Sequence, residues 1–198
     1  MRALKEKILK KTDENLLFIK SWVQNPKALG SIAPSSEALG KFISKQISIK
    51  PHEYVVEIGA GTGSLTQELL ASGIPPEKLI VVELDEKLSA FLKKKLPAQV
   101  MIICGNAENL GALLPAFTQG LIPTIISGIP MMNLRKEEQV RIISSCFDVM
   151  NEGGTLLQFT YGPLSPLPAK LLGLTKKRVG HVLMNIPPAT IWRYEKSL

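Results

Sequence analysis

Three alternating glycines, Gly59, Gly61 and Gly63, follow directly on the apolar run Val55-Val56-Glu57-Ile58 and lead into Ser64-Leu65-Thr66. Glycine permits a sharp turn and lets a ligand approach the backbone with no Cβ in the way. The spacing is G-x-G-x-G, not the G-x-G-x-x-G of dinucleotide sites. Glu57 ends an apolar strand, where a carboxylate is costly unless a donor meets it. Farther on, Leu79–Val82 runs into Glu83 and Asp85. An acid in that place can accept two ribose hydroxyls bidentately. Cys104-Gly105-Asn106-Ala107 and Ser127-Gly128-Ile129-Pro130 follow two further apolar runs.

The elements that must position these groups alternate strand and helix. Strands are expected at Tyr54–Ile58, Leu79–Leu84, Ala98–Cys104, Thr124–Ile129 and Thr155–Tyr161. Helices are expected at Gly63–Ala71, Glu86–Leu96, Glu108–Phe117 and Arg135–Met150. Arg178–Met184 and Thr190–Tyr194 read as a β-hairpin added to the sheet. Such alternation implies a mainly parallel sheet with helices on both faces. All four chemical segments then fall at the C-terminal ends of parallel strands, where open α/β sheets bind ligands. Ahead of this core, Ala3–Val23 reads as a helix with one broad apolar face, ended by Asn25-Pro26. Gly30–Ser36 reads as a loop and Ser36–Gln46 as a second helix. Residues 1–50 form a helical segment expected to meet a membrane or cover the substrate, and residues 51–198 form the core.

Composition excludes several classes. Hydrophobic residues make up 45% and charged residues 21%, which rules out a disordered or fibrous chain. No apolar run reaches the ~18–20 residues a membrane span needs. The N-terminus lacks the continuous apolar stretch of a secretory signal. Cys104 and Cys146 read as buried thiols of a reducing cytosol, and two His with two Cys argue against a metal site. The net charge of +7 is uneven: ten Lys/Arg against four Asp/Glu in residues 1–50, fourteen against thirteen thereafter. A basic N-terminal segment points to a polyanionic partner, nucleic acid or an anionic membrane surface.

The four strand-end segments together resemble the class I S-adenosylmethionine (SAM)-dependent methyltransferases. That resemblance implies an α/β, Rossmann-like, seven-stranded methyltransferase sheet with its final strand antiparallel, preceded here by N-terminal amphipathic helices. It implies SAM as cofactor, with Glu57 and Gly59, Gly61 and Gly63 around the methionine moiety and Glu83 on the ribose hydroxyls. Asn106 stands where the family usually has an Asp that accepts from the adenine amino group; the Asn carbonyl oxygen can still accept. Ala107 would offer a backbone N–H near the adenine, and Ser127 closes the cofactor set.

For the methyl acceptor, the order of parts resembles the adenine N6-methylating rRNA enzymes, which carry Asn-Leu-Pro-Tyr or a close variant after strand four. Here Ser127-Gly128-Ile129-Pro130-Met131-Met132 has neither the Asn nor the stacking ring. The residues after Tyr161 are also fewer than the extra helical domain of those enzymes. The bacterial phospholipid N-methyltransferases, which methylate phosphatidylethanolamine, are a closer resemblance. It rests on Phe18-x-x-x-Trp22-x-x-Asn25-Pro26, Gly30–Ser36, Ser127–Pro130, Gln158–Pro163 and Asn185–Trp192.

That resemblance implies a peripheral enzyme on the inner, cytoplasmic face of the cell membrane, acting on a phospholipid at an anionic surface and not on nucleic acid. The Gly128 and Ile129 carbonyls would orient the amine, with Tyr161 facing a methylated ammonium. Pro130, Met131 and Arg178 would contact the lipid, with His181 beside Arg178. No residue stands out as a required general base. An adenine methylase, a methylase of a small soluble amine and a non-catalytic SAM-binding module are the other classes open to the sequence.

Overall fold

The computed structural model describes residues 32–161, 163–183 and 188–197. The expected helix Ala3–Val23 lies outside them, as do residues 184–187 of the last hairpin. Five strands run parallel: β1 (Val55–Ile58), β2 (Leu79–Glu83), β3 (Met101–Cys104), β4 (Thr124–Ser127) and β5 (Thr155–Thr160). Two more, β6 (Leu174–Val182) and β7 (Ala189–Lys196), close the sheet as an antiparallel hairpin. The order is β3-β2-β1-β4-β5-β7-β6. β1, β2 and β4 are buried at every position. Their unbroken Val/Ile runs follow from that, since a central parallel strand has no wet face.

Each face carries its own core. Val56, Ile58, Ile80, Ile125 and Leu156 pack against α4 (Leu110–Leu113) and α5 (Lys136–Val149) through Leu110, Ile142, Ile143 and Phe147. On the other face Val55, Val81, Ile126, Leu157 and Ile191 meet α1 (Ile32–Ser44), α2 (Ser64–Ala71) and α3 (Glu86–Lys95). Leu39 and Ile43 of α1, one turn apart, enter that core, each contributing about 1.5–3 kcal/mol by burial.

α1 begins earlier than the Pro/Ser-rich sequence suggests. Pro34 falls in its first turn, where a missing N–H removes a donor that has no partner within the helix anyway. The helix crosses α2 at Gly40, where a Cβ would lie 2.1 Å from the Glu68 Cβ. Phe42 fills the space above Gly180 of β6, and Gln46, just past the helix, accepts from Arg193 Nη2 of β7 at 3.1 Å. Gly180 pairs with Ile191, while Arg193 pairs with Leu157 and Lys177 farther from the strand ends. The helix therefore descends from the C-terminal edge of the parallel strands, and its first turn stands at that edge.

Three expectations are corrected. The helix over Glu108–Phe117 is broken into a 3-10 turn at Ala107–Asn109, the single turn α4, and a 3-10 turn at Ala116–Thr118. Asn109 leaves the helical region at φ −123°, ψ 34°, and Pro115 causes the second break, because it bars Leu114 from the α region, and Leu114 is extended at φ −77°, ψ 139°. The hairpin is longer than expected and starts at Leu174. Cys104 is exposed at the end of the outermost parallel strand, and only Cys146 is buried.

Candidate functional site

The glycine loop is shaped by left-handed backbone at Gly59 (φ 71°), Gly61 (59°) and Gly63 (75°). Any other residue would carry about 1–2 kcal/mol of strain at each such position. At Gly59 a Cβ would also lie 2.6 Å from Ile129 Cγ1. At Gly61 a Cβ would meet nothing within 4 Å, so this side of the loop is open to a ligand lying against the backbone.

Glu83, at the end of β2 and 6% exposed, reaches this loop. Its Oε2 accepts from the Gly61 N–H at 2.8 Å and its Oε1 from the Asp85 N–H at 3.0 Å. An ionised carboxylate has about four acceptor positions, so capacity for a diol remains. Asp85 does other work: its Oδ1 accepts from the Lys87 and Leu88 N–H groups at 2.8 and 2.9 Å and caps α3. Lys95, in the last turn of α3, donates to the Thr62 carbonyl at 2.8 Å. Burial pulls its pKa below the usual lysine value.

Glu57 is 1% exposed and receives the donor it needs from the Thr66 hydroxyl of α2 at 2.7 Å. Burial pushes its carboxyl up to about 7; the Thr66 bond opposes this and the nearby Glu83 charge adds to it. Asn106 Oδ1 accepts from the Glu108 N–H at 3.0 Å and caps the short turn that begins at the buried Ala107. A second lone pair of that oxygen remains.

The acceptor side is one strand farther along. Gly128 N–H donates to the Ile58 carbonyl at 2.9 Å, pinning the turn after β4 beside the glycine loop. A Cβ on Gly128 would sit 2.5 Å from the Gly59 carbonyl oxygen, so the two turns touch only because both are glycine. Both ends of Ile129 are held: its N–H by the buried Ser127 Oγ at 3.3 Å and its carbonyl by Gln158 Nε2 at 3.1 Å. Pro130 is exposed at this edge. Tyr161 follows β5, half exposed, its ring edge-on to Phe159 at 5.9 Å between centroids.

One expected substrate contact is corrected. Met131 is not at the surface. The 3-10 turn Met131–Asn133 rolls it into the core at 1% exposure, and its carbonyl accepts from Gln139 Nε2 at 2.6 Å. Met132 is the exposed one, at 59%. Arg178 lies on the outermost strand, in the cross-sheet row Ile58–Ser127–Gln158–Trp192–Arg178. Three strand spacings separate it from Ser127, about 14 Å. It stands directly opposite Trp192 and contacts His181 at 3.4 Å, and His181 Nδ1 lies 3.0 Å from Thr190 Oγ1.

Sequence reasoning gave Gln158, Trp192 and Lys95 no role in the site. A glutamine inside the apolar strand Thr155–Thr160 was the available signal for the first. The rim of the site carries exposed apolar side chains: Leu84, Met132, Tyr161, Leu164 and Leu183 all follow strand ends at this edge. Among the described residues no helix is long and apolar enough to cross a membrane.

Comparison with known proteins agrees with this geometry. The family model described as "Ribosomal RNA adenine dimethylase" matches residues 28–118. An ornithine lipid N-methyltransferase from Singulisphaera acidiphila is 28% identical over 149 residues, covering 74% of this chain and 78% of that protein. Ribosomal RNA small subunit methyltransferase A from Thermotoga petrophila is 39% identical over 74 residues, 37% of this chain and only 27% of that protein. Among solved structures, a TehB-like SAM-dependent methyltransferase from Corynebacterium glutamicum superposes with a TM-score of 0.62 at 12% identity, over 91% of this chain and 99% of that one. The Haemonchus contortus phosphoethanolamine N-methyltransferase 1, bound to phosphoethanolamine and S-adenosylhomocysteine, gives a TM-score of 0.63 at 12% identity, over 94% of this chain and 49% of that one. The open glycine cradle, the spare acceptor capacity of Glu83 and the capped turn at Asn106 fit an adenosyl ligand. The chain is a SAM-dependent methyltransferase with the class I fold, and SAM is its cofactor.

Proposed function

We propose that the chain methylates the amine of a phospholipid headgroup, phosphatidylethanolamine and its methylated forms, at an anionic membrane surface on the cytoplasmic side. One observation carries this reading. The match to the lipid methyltransferase spans 74% of the chain. Wherever it begins, a match of that length includes residues 127–130, the turn that faces the acceptor. The rRNA family model stops at residue 118, before that turn. The segment Ser127-Gly128-Ile129-Pro130-Met131-Met132 also carries no ring to stack on a base, and the exposed apolar side chains of the rim suit a lipid surface better than a polyanion.

When bound, SAM supplies an electrophilic methyl group on a sulfonium. The chain's own work is to align the amine with it, which can be worth up to about 7–11 kcal/mol. The amine arrives neutral, because an ammonium has no lone pair to form the N–C bond. The N–C bond would form at the expense of the methyl–sulfur bond; the ammonium made from a primary or secondary amine would release one proton to solvent, and the quaternary ammonium made by a third transfer has none to release. The Gly128 carbonyl orients the amine, since both lone pairs of the Ile129 carbonyl are taken by the Met131 N–H at 2.8 Å and Gln158 Nε2 at 3.1 Å, and the Tyr161 ring faces the methylated cation. The basic segment 1–31, outside the described residues, supplies attraction to anionic lipid at ~1 kcal/mol per Lys or Arg near the surface. α1, which continues that segment, starts at the same edge as the site.

The test offers labelled SAM with anionic vesicles containing phosphatidylethanolamine, a parallel set containing ornithine lipid, and naked rRNA, followed by lipid extraction. Label is expected in phosphatidylethanolamine. Label in ornithine lipid alone moves the acceptor to that headgroup, and label in RNA alone overturns the lipid reading. In the same preparation, replacing Lys5, Lys7, Lys10 and Lys11 by Glu is expected to release the protein from anionic vesicles, as high salt does. Full sedimentation of that variant at low salt removes the electrostatic anchor.

A further inference from the structure

Gln158 lies directly opposite Ser127 on one side and Trp192 on the other, and is 1% exposed. Its Nε2 donates to two carbonyls, Ile129 at 3.1 Å and Phe159 at 2.9 Å. This decides which end of the amide is nitrogen, since turning it over would set Oε1 against two acceptors. Oε1 is thereby left buried with no hydrogen-bond partner among the described residues. The indole Nε1 of Trp192 is in the same condition. Residues directly opposite on neighbouring strands share a face, with Cβ atoms about 4.5–5.5 Å apart. An acceptor and a donor, both unsatisfied, are therefore carried by directly opposite side chains, one of which holds the Ile129 carbonyl.

The turn after β4 offers little side-chain acceptor capacity of its own. Gly128 has no room for a Cβ against the Gly59 carbonyl, and the Ser127 hydroxyl oxygen accepts from Ile129. Gln158 reaches the same turn from β5. We infer that the Gln158 carboxamide reads the acceptor nitrogen. Nε2 holds the Ile129 carbonyl in place, Oε1 accepts an N–H from the incoming amine, and the Trp192 N–H donates to an oxygen of the same headgroup. This inference rests on the lipid-amine reading and adds a specificity to it. A neutral primary or secondary amine has an N–H to give Oε1. A neutral dimethylated amine has none. The first two methyl transfers are therefore favoured over the third.

The experiment measures kcat/KM for the full chain on anionic vesicles carrying phosphatidylethanolamine, its N-monomethyl form or its N,N-dimethyl form, with SAM affinity measured by calorimetry. The unsubstituted protein is expected to use the dimethyl lipid about tenfold less well than the monomethyl lipid, the size of one lost hydrogen bond. Gln158→Met, which keeps the volume and removes both polar atoms, is expected to lower kcat/KM about tenfold on the first two lipids and much less on the third, bringing the three together. SAM affinity is expected to stay within about twofold, since the Gln158 carboxamide bonds to Ile129 and Phe159 and not to the glycine loop among the described residues. Trp192→Phe is expected to raise KM on all three lipids alike. An equal loss on all three lipids for Gln158→Met, or no loss, overturns the assignment and leaves Oε1 to an ordered water. Equal use of mono- and dimethyl lipid by the unsubstituted protein overturns it without any variant. Absence of label from every lipid overturns the lipid-amine reading itself, an outcome distinct from the other two.

Discussion

The two halves of the site are built in different ways. On the β1–β3 side the shape comes from backbone: three left-handed glycines and one carboxylate that ties the loop to the end of β2 through Gly61 and Asp85. On the β4–β7 side the shape comes from side chains, with Ser127 and Gln158 fixing the two ends of the Ile129 peptide from adjacent strands. A backbone cradle is specified by a short stretch of chain. A side-chain cradle is specified by register between strands far apart in sequence. The acceptor side can therefore change through single side chains while the cofactor side stays as it is.

The largest effect is expected from breaking the first half. Glu83→Ala removes the carboxylate proposed to hold the ribose hydroxyls. At about 1.5–3 kcal/mol for each hydrogen bond to a charged group, two bonds correspond to a loss of SAM affinity of about 100-fold or more. Calorimetric titration measures it directly. Unchanged affinity would place the ribose elsewhere. A rise in acceptor KM equal to the loss in SAM affinity would show that the two halves are not separable.

A smaller contrast sharpens the second half. Met131 and Met132 are neighbours with opposite environments. Met131→Ala empties a core position and is expected to cost about 2–5 kcal/mol. In a chain of this length each kcal/mol moves Tm by about 2–4 °C. Met132→Ala is expected to stay within about 0.5 kcal/mol, with its effect seen in vesicle binding instead. Thermal unfolding of the two variants side by side tests this, and equal Tm losses would refute the inward turn of Met131.

The same division explains what could be read from sequence. The strand ends, the glycine loop and the positions of Glu57 and Glu83 follow from local pattern, because an apolar run that ends in glycine or an acid has few readings. Met131 was misplaced because a 3-10 turn after Pro130 reverses which of two adjacent methionines faces out, and no periodicity spans so short a piece. The distance of Arg178 from Ser127 depends on β7 inserting between β5 and β6, an order the hairpin sequence does not encode locally. Gln158 lay within a quoted segment, yet its bond to Ile129 bridges 29 positions. The helix before Pro115 and the loop before Ser36 failed in opposite directions, one proline breaking a helix and another sitting harmlessly in a first turn.

Glu57 tests the backbone-built half in another way, through pH. Burial raises its carboxyl from 4.5 to about 7 in the folded protein, against the pull of the Thr66 hydroxyl and with the Glu83 charge adding to the rise. Between those two values the folded chain holds a proton that the unfolded chain has released. Stability from this group is therefore complete below about 4.5, falls as pH rises toward 7, and is level above that. The whole span corresponds to roughly 3 kcal/mol. Gln at this position is neutral at every pH and can still accept from Thr66 through its carbonyl oxygen. Urea unfolding of parent and Glu57→Gln at pH 5, 6, 7 and 8 is expected to show the variant gaining on the parent as pH rises, most steeply below 7. The other carboxylates are common to both proteins and largely cancel in the difference. A difference in unfolding free energy that stays constant from pH 5 to 8 would mean that Glu57 releases its proton at an ordinary carboxylate pH, and that the Thr66 bond alone is enough to keep it charged inside the sheet.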